Sequence, residues 1–195
     1  MTWSSFRNSI FAAALVVGVL TVGMPSVKAQ GGPPSPALMA KFKAWGKYYE
    51  QHKKLTTLGD QIGKISKLNE DASNGLDKAQ AAKMLALLNP LKSKAELTDD
   101  EASALNKKIG NLLTVKQIKA LTLIEAPSEK WKKARGAGGG RGGAGGGFDM
   151  SKFPDPPAHG YNPLNGDSFP MAMARPMVKQ AMQQFFVGLE KRAKG

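Results

Sequence analysis

Hydrophobic positions recur through the middle of the chain with a helical spacing, and short capping sequences mark where helices begin. Three pentapeptides, at 76–80, 97–101 and 113–117, share the order Leu, capping residue, two further residues, then Gln or Glu. In each, the second residue can accept a backbone N–H of the first helical turn, and the fifth can reach back to the N–H of the second. The pattern predicts three short helices with these capping residues: Asp77, Gln80, Thr98, Glu101, Thr114 and Gln117.

Apolar residues follow each capping sequence, as Ile118, Leu121 and Ile124 follow the third. We therefore expect the three apolar faces to meet in one core. A further helical stretch precedes them, because apolar residues from Leu38 to Leu68 are spaced three or four apart and predict one long helix or two stacked helices. Glycine costs about 1 kcal/mol against alanine in an exposed helix interior, so a break is expected within 56–63.

The last third of the chain has a different composition. Nine of the twelve residues in 136–147 are glycine, and 148–170 is rich in Pro, Asn and Asp, so residues 135–170 are expected to form a flexible, disordered linker. After Pro176 the apolar stripe returns, which predicts an amphipathic C-terminal helix within 171–195. The expected fold is all-α: a helical domain of four to five helices at 37–134, the linker, and a separate C-terminal helix.

The first 29 residues have the features of a secretory signal peptide. Arg7 supplies the positive n-region, 10–22 is an apolar core, and Val27-Lys28-Ala29 offers a small-x-small cleavage site. Thirteen apolar residues are too few for a membrane span, which needs about 20. We expect an exported protein, periplasmic or secreted after cleavage near Ala29, with 30–36 as an exposed leader. The chain has no cysteine, so disulfides and thiolate chemistry are excluded.

Charge narrows the class of partner. Without residues 1–29 the chain carries 26 Lys and Arg against 15 Asp and Glu, a net charge of +11. Outside the cytoplasm such a chain attracts anionic lipid, acidic polymers or acidic unfolded proteins, although solubility alone is an alternative reason for the charge. Residues 36–133 contain 18 Lys and no Arg, which argues against nucleic-acid recognition there. The two Arg-Gly pairs at 135–136 and 141–142 are interpreted as linker rather than as RNA-binding boxes.

Candidate chemistry is sparse, and no enzymatic activity, metal or cofactor is expected. His52 and His159 lie far apart in the chain and have no cysteine partner, so their spacing does not predict a zinc site. Nucleophile-elbow and phosphate-loop motifs are absent from the sequence. The acidic run 99–101 could hold a cation, but acids in the first turn of a helix are expected because of the helix dipole.

Two groups of aromatic and Met residues could bind a protein partner. One lies near the mature N-terminus, where Tyr48 and Tyr49 point about 100° apart on a helix, so one of them should be exposed. The other lies on the C-terminal helix. Packing in a core is the alternative for both. The candidate partner-binding residues are Phe42, Trp45, Tyr48, Tyr49, Met177, Met182, Phe185, Phe186 and Leu189.

The pentapeptide Leu113-Thr114-Val115-Lys116-Gln117 resembles the LTxxQ motif of small periplasmic stress proteins typified by spheroplast protein Y, and 97–101 and 76–80 match it in part. The resemblance covers at most Leu76–Ala126. It implies an exported, basic, all-helical protein that acts as an ATP-independent chaperone or stress sensor, usually as a dimer that binds clients.

Together these features predict a non-enzymatic exported protein that binds other proteins or unfolded clients, such as an ATP-independent periplasmic chaperone or an envelope stress protein. The alternative is an envelope-assembly or membrane-surface protein that docks through its C-terminal helix. An anionic membrane surface and an oligomer stay open as partners, and nucleic acid is not expected.

Overall fold

The computed structural model describes residues 35–136 and 154–195, and within these ranges the chain forms helices and connecting loops only. The all-α prediction, with its C-terminal helix, is confirmed. The predicted signal peptide, residues 30–34 of the leader and residues 137–153 of the linker lie outside the described residues.

Seven α-helices follow one another in the described ranges. They are α1 (Pro36–Gln51), α2 (Lys53–Leu68), α3 (Lys78–Leu88), α4 (Asp99–Leu112), α5 (Val115–Leu123), α6 (Pro127–Gly136) and α7 (Arg175–Lys194). Two short 3-10 turns, Gly166–Ser168 and Ala172–Ala174, precede α7. Residues 35–136 thus hold six helices rather than four or five, because the first stretch divides in two and Pro127 begins a helix of its own.

The first helical stretch breaks at His52 and not within 56–63. His52 leaves helical geometry, with φ −107° and ψ 33°, while α2 runs without interruption through both of its glycines. Gly63 does not loosen α2 because it is a packing contact: a Cβ at this position would lie 2.6 Å from Cγ of Pro127. Its missing side chain lets α6 approach α2, and Asp60 of α2 accepts the backbone N–H of Ser128 at 2.9 Å.

The core is built around α2. Five of its side chains, spaced three or four apart, are at most 2% exposed: Leu55, Leu58, Ile62, Ile65 and Leu68. α2 contacts α1, α4, α5 and α6, whereas α3 contacts α4 and α7. Removing each of these large apolar side chains from water contributes about 1.5–3 kcal/mol, so this stripe supplies much of the driving force for folding.

Residues 154–170, called the strap below, are ordered against the helices, which corrects the expectation of a disordered linker for this part. Asn162 is completely buried. Its Nδ2 donates to the carbonyls of Leu91 and Lys94 at 2.7 and 3.0 Å, and its Oδ1 accepts the N–H of Leu164 at 3.0 Å. Tyr161 is 3% exposed. A Pro- and Asn-rich segment can thus be ordered without forming a helix, because a buried amide satisfies the backbone groups that a loop leaves unpaired.

The C-terminal helix lies on the domain rather than apart from it. Phe185, Phe186 and Leu189 of α7 belong to the same hydrophobic cluster as four residues of the α2 stripe, and α7 contacts α3. Arg192 fastens the end of α7, since its guanidinium donates to the carbonyls of Leu76 at 2.9 Å and Asn69 at 2.6 Å. An amphipathic helix of this length is marginal in water by itself, and here its own domain supplies the surface that stabilises it.

Close approach between the strap and α7 makes Gly166 sensitive to substitution. A Cβ at this position would lie 2.4 Å from the backbone N and Cα of Lys179, which cannot move without shifting α7. Gly166→Ala should therefore lower the free energy of unfolding by about 1–3 kcal/mol, the usual range for overpacking. Urea denaturation followed by circular dichroism measures this change.

Gly188 provides the matched control. It lies inside α7, where an added Cβ would meet nothing within 4 Å. Gly188→Ala should therefore stabilise the helix, by at most about 1 kcal/mol. A Gly166→Ala variant that is as stable as the unmodified chain would mean that the strap does not pack on α7 as described.

Candidate functional site

Each of the three expected helix starts carries a complete capping box. At α4, Thr98 Oγ1 accepts the N–H of Glu101 at 3.1 Å, and Glu101 Oε2 accepts the N–H of Thr98 at 2.9 Å. Asp77 with Gln80 at α3 and Thr114 with Gln117 at α5 are built in the same way. Each box satisfies two N–H groups at the helix start that no intrahelical bond would satisfy.

The amides of Gln80 and Gln117 also pair with each other. Gln80 Nε2 donates to Gln117 Oε1 at 2.8 Å, and Gln117 Nε2 donates to Gln80 Oε1 at 2.9 Å. The second N–H of each amide reaches a backbone carbonyl: that of Leu112 at 2.7 Å from Gln80, and that of Gly75 at 3.0 Å from Gln117. Each Oε1 also accepts its own cap N–H, so one saturated network, called the glutamine pair below, joins the starts of α3 and α5 to the end of α4.

The sequence contains a signal for this pairing. The last residue of the pentapeptide, which closes the capping box, is Gln at 80 and 117 but Glu at 101. Only an amide can both accept the cap N–H and donate two hydrogen bonds, so only a Gln at this position can pair in this way. Glu101 instead remains exposed and accepts the ammonium of Lys94 at 2.6 Å, which together with the Thr98 N–H lowers the pKa of Glu101 below its ordinary value.

Three apolar side chains of α5 are exposed to solvent. Val115, Ile118 and Leu123 are 70%, 45% and 88% exposed. Ile118 was expected to face the core, and its exposure corrects that expectation. The reason is the glutamine pair: Gln117 is the one buried residue of α5, and fixing it inward turns Ile118, which is one residue further along, about 100° away from the core.

Cationic side chains lie on the same exposed side of α5 as these apolar residues. Lys116 and Lys119 are both exposed, and α5 contains no acidic residue. Lys116 donates to the carbonyl of Ser73 at 3.1 Å, in the loop that precedes α3. We call these two lysines, together with Val115, Ile118 and Leu123, the α5 surface. It combines exposed apolar groups with positive charge on a helix whose buried side is held by the glutamine pair.

The aromatic residues of α1 do not form the exposed partner surface that was expected of them. Trp45 and Tyr48 are 3% and 4% exposed, and Phe42 and Tyr49 are half-buried, so neither tyrosine of the pair is exposed. The strap covers this face. Trp45 Nε1 donates to the carbonyl of Pro154 at 2.8 Å, as described further below.

The candidate partner residues of the C-terminal helix are also buried or half-buried. Phe185, Phe186 and Leu189 are buried in the core cluster. Met177 and Met182 are half-buried, and Met182 packs against the same cluster. The sequence predicts that this apolar stripe packs on a surface, and α3 of the same chain provides that surface.

Titratable groups give no sign of a reactive centre in the parts of the chain that the structure describes. Burial raises the pKa of Tyr161 to about 12, and burial together with neighbouring Tyr161 raises the pKa of Tyr48, so both phenols stay neutral. His159 Nδ1 lies 3.7 Å from a carboxylate oxygen of Glu96 at the surface, and the ring of His52 packs on Tyr48. Residues 35–136 and 154–195 contain no group of three or more His, Cys, Asp or Glu that could hold a metal ion.

No family model, curated protein or solved structure matches this chain. The LTxxQ resemblance therefore stays a prediction. Among the helices described, none has the length and apolarity to cross a membrane. The α5 surface is the candidate functional site.

Proposed function

We propose that this chain is a non-enzymatic, exported binding protein that holds acidic, partly unfolded segments of other proteins on the α5 surface without ATP. The exposure of Val115, Ile118 and Leu123 on one nine-residue helix carries the proposal. Apolar groups clustered at a surface are usually sites of protein interaction. Unfolded proteins expose the apolar side chains that such a surface can cover.

Charge complementarity selects acidic clients. Residues 36–133 carry 18 Lys against 11 Asp and Glu, and α5 itself carries Lys116 and Lys119 with no acid. A positive surface raises the rate at which acidic chains are captured, and added salt lowers that rate by screening the charges. We therefore expect capture to depend on salt and retention to depend on the apolar contacts.

The glutamine pair supports the same proposal by keeping α5 in place. A nine-residue helix has little stability of its own in water. Gln117 ties it to Gln80 of α3 and to the loop before α3, so that the exposed side chains are presented on a rigid support. Because two of the three LTxxQ-like segments, 76–80 and 113–117, are the capping boxes that build this support, the chaperone role implied by the resemblance is consistent with the proposal.

The alternative is docking of the C-terminal helix on a membrane or a fixed partner. The apolar face of the helix that such docking would use is buried. Phe185 and Leu189 are buried against the domain, and freeing them would expose part of the core. On the outer side of α7, Val187 is 63% exposed, with the charged residue Glu190 near it in the chain. This side is too small and too polar for an interfacial helix, which needs a continuous apolar face.

The test is aggregation of an acidic model protein as it unfolds, followed by light scattering without ATP. The mature chain should suppress aggregation, and the double variant Ile118→Ser with Leu123→Ser should require about tenfold more protein for the same effect, the loss expected for about 1.4 kcal/mol of apolar contact. Val187→Ser, an exposed valine on α7, is the control and should behave as the unmodified chain.

Both substituted residues are exposed, so the thermal midpoint should change little, and a circular dichroism melt checks this. Replacing both lysines, Lys116→Gln with Lys119→Gln, should slow capture and flatten its salt dependence. Equal suppression by the unmodified chain and the double serine variant would exclude the α5 surface as the binding site.

A further inference from the structure

The first part of the strap lies on the aromatic side chains of α1. Trp45 Nε1 donates to the carbonyl of Pro154 at 2.8 Å, and the hydroxyl of Tyr48 donates to the carbonyl of His159 at 3.1 Å. The two donors are three residues apart on α1 and therefore lie on one side of it, one turn apart. Between the two acceptors the strap reads Asp155-Pro156-Pro157-Ala158.

A group of rings surrounds these donors. The Trp45 ring lies 5.6 Å from that of Tyr48 and 5.5 Å from that of Tyr49, measured between centroids. Tyr161 stacks on Tyr48 at 6.5 Å with an interplanar angle of 28°. We call Trp45, Tyr48 and Tyr49 the α1 aromatic site.

Rings that donate N–H or O–H groups to main-chain carbonyls of a proline-rich segment are the means by which several protein modules recognise proline-rich peptides. Such segments are suitable ligands because they lose little conformational freedom when they bind. Both hydrogen bonds here go to the main chain of the strap, not to its side chains. Another extended segment with prolines at similar positions could therefore make the same contacts.

The strap is held unevenly along its length. Pro154, Asp155, Ala158 and His159 are exposed, whereas the next residues are deeply buried, beginning with Tyr161. The carbonyl of Tyr161 also accepts the N–H of Leu97 at 3.3 Å. Local opening occurs where few buried contacts must break, so we expect residues 154–159 to detach from α1 more readily than the part of the strap beyond 160.

We propose that the α1 aromatic site binds an extended, proline-rich, acidic peptide segment of a partner protein, and that residues 154–159 occupy it as an internal competitor. The acidic preference follows from Asp155 in the internal segment and from the net charge of α1, which carries three lysines against one glutamate. This site lies on a different helix from the α5 surface, and its test does not depend on the proposed function.

The experiment uses the full mature chain labelled with ¹⁵N, in which the indole N–H of Trp45 reports on the site and is assigned with Trp45→Phe. The probe is a capped peptide with the sequence of residues 154–160, Pro-Asp-Pro-Pro-Ala-His-Gly. A strap-weakened variant, Pro156→Gly with Pro157→Gly, removes the two half-buried prolines and keeps Tyr161 and the rest of the strap. The control peptide has alanine in place of each proline.

The peptide should shift the Trp45 indole signal saturably in the strap-weakened variant, with a dissociation constant at least about tenfold lower than in the unmodified chain, where the internal segment competes. The alanine peptide should bind about tenfold more weakly, because it is not preorganised. Circular dichroism verifies that the variant is folded, and Pro157→Gly alone replaces it if the double variant has lost helix. No saturable shift at millimolar peptide, or equal binding of the two peptides, would overturn the proposal.

Discussion

Leu189→Ala should lower the free energy of unfolding by about 2–5 kcal/mol, whereas Val187→Ala, two residues earlier in α7, should change it by no more than about 0.5 kcal/mol. Leu189 is completely buried in the cluster that also contains four residues of the α2 stripe, and Val187 is 63% exposed. The alanine at 189 leaves a cavity that the surrounding core can fill only in part. Urea denaturation of the full chain measures both changes.

Deleting residues 171–195 should have a still larger effect. The deletion removes Phe185, Phe186 and Leu189 from the core and exposes the side of α3 that they cover. Each such side chain contributes about 1.5–3 kcal/mol, and their sum approaches the whole stability of a small domain. A truncated chain whose melting temperature equals that of the full chain, or a Leu189→Ala variant as stable as Val187→Ala, would show that α7 is not part of the core.

Gln117→Ala should cost about 3 kcal/mol, roughly three times the cost of an ordinary capping residue. The substitution removes one of the two hydrogen bonds of the α5 capping box, that from the Thr114 N–H, and leaves the carbonyl of Gly75 and one N–H of Gln80 without their partner. Gln117 is 6% exposed, so water cannot easily replace what is lost. Glu101→Ala is the matched control, because Glu101 occupies the same position in the α4 capping box but is exposed, and it should cost about 1 kcal/mol.

A double-mutant cycle isolates the glutamine pair from the caps. Gln80→Ala and Gln117→Ala should be non-additive by about 0.5–3 kcal/mol, because either substitution alone already destroys both hydrogen bonds between the two amides. Gln117→Ala combined with Glu101→Ala should be additive, because the two side chains have different partners. Glu101 bonds to Thr98 and Lys94, whereas Gln117 bonds to Thr114, Gln80 and Gly75. Additivity in both cycles would mean that the pair contributes nothing beyond two separate caps.

Local signals in the sequence predicted the starts of α3, α4 and α5, because a capping box is made by residues three apart and needs no tertiary contact. The α2 stripe was equally readable, since five apolar residues with a spacing of three or four leave a helix one face to bury. The break between α1 and α2 lies at His52 and not within 56–63 as the glycines predicted. The glycines of α2 were judged as propensity defects, whereas Gly63 is a packing contact with Pro127, 64 residues away in the chain.

The remainder could not be predicted from local sequence because it depends on partners distant in the chain. Asn162 looks like a loop residue by composition, and only its contacts with the carbonyls of Leu91 and Lys94 make it a buried anchor. The aromatic residues of α1 and the stripe of α7 were found as apolar groups. Whether an apolar stripe binds a partner or its own chain is decided by the geometry of the whole fold, which here covers both.

The candidate site shows the same division between local and distant causes. The third capping box predicted α5, but its orientation follows from the pairing of Gln117 with Gln80, which turns Ile118 outward. An apolar residue one position away from a buried Gln was therefore assigned to the core from spacing alone.

A photocrosslinking residue at position 118 tests the client-binding account most directly. The full mature chain carries a photoreactive phenylalanine in place of Ile118, or in place of Val187 as the control, and is irradiated with an acidic model protein during its unfolding. The account predicts a crosslinked product from position 118 that high salt diminishes, with little product from position 187 or with the folded model protein. Equal crosslinking from both positions, or none from position 118 while aggregation is still suppressed, would contradict it.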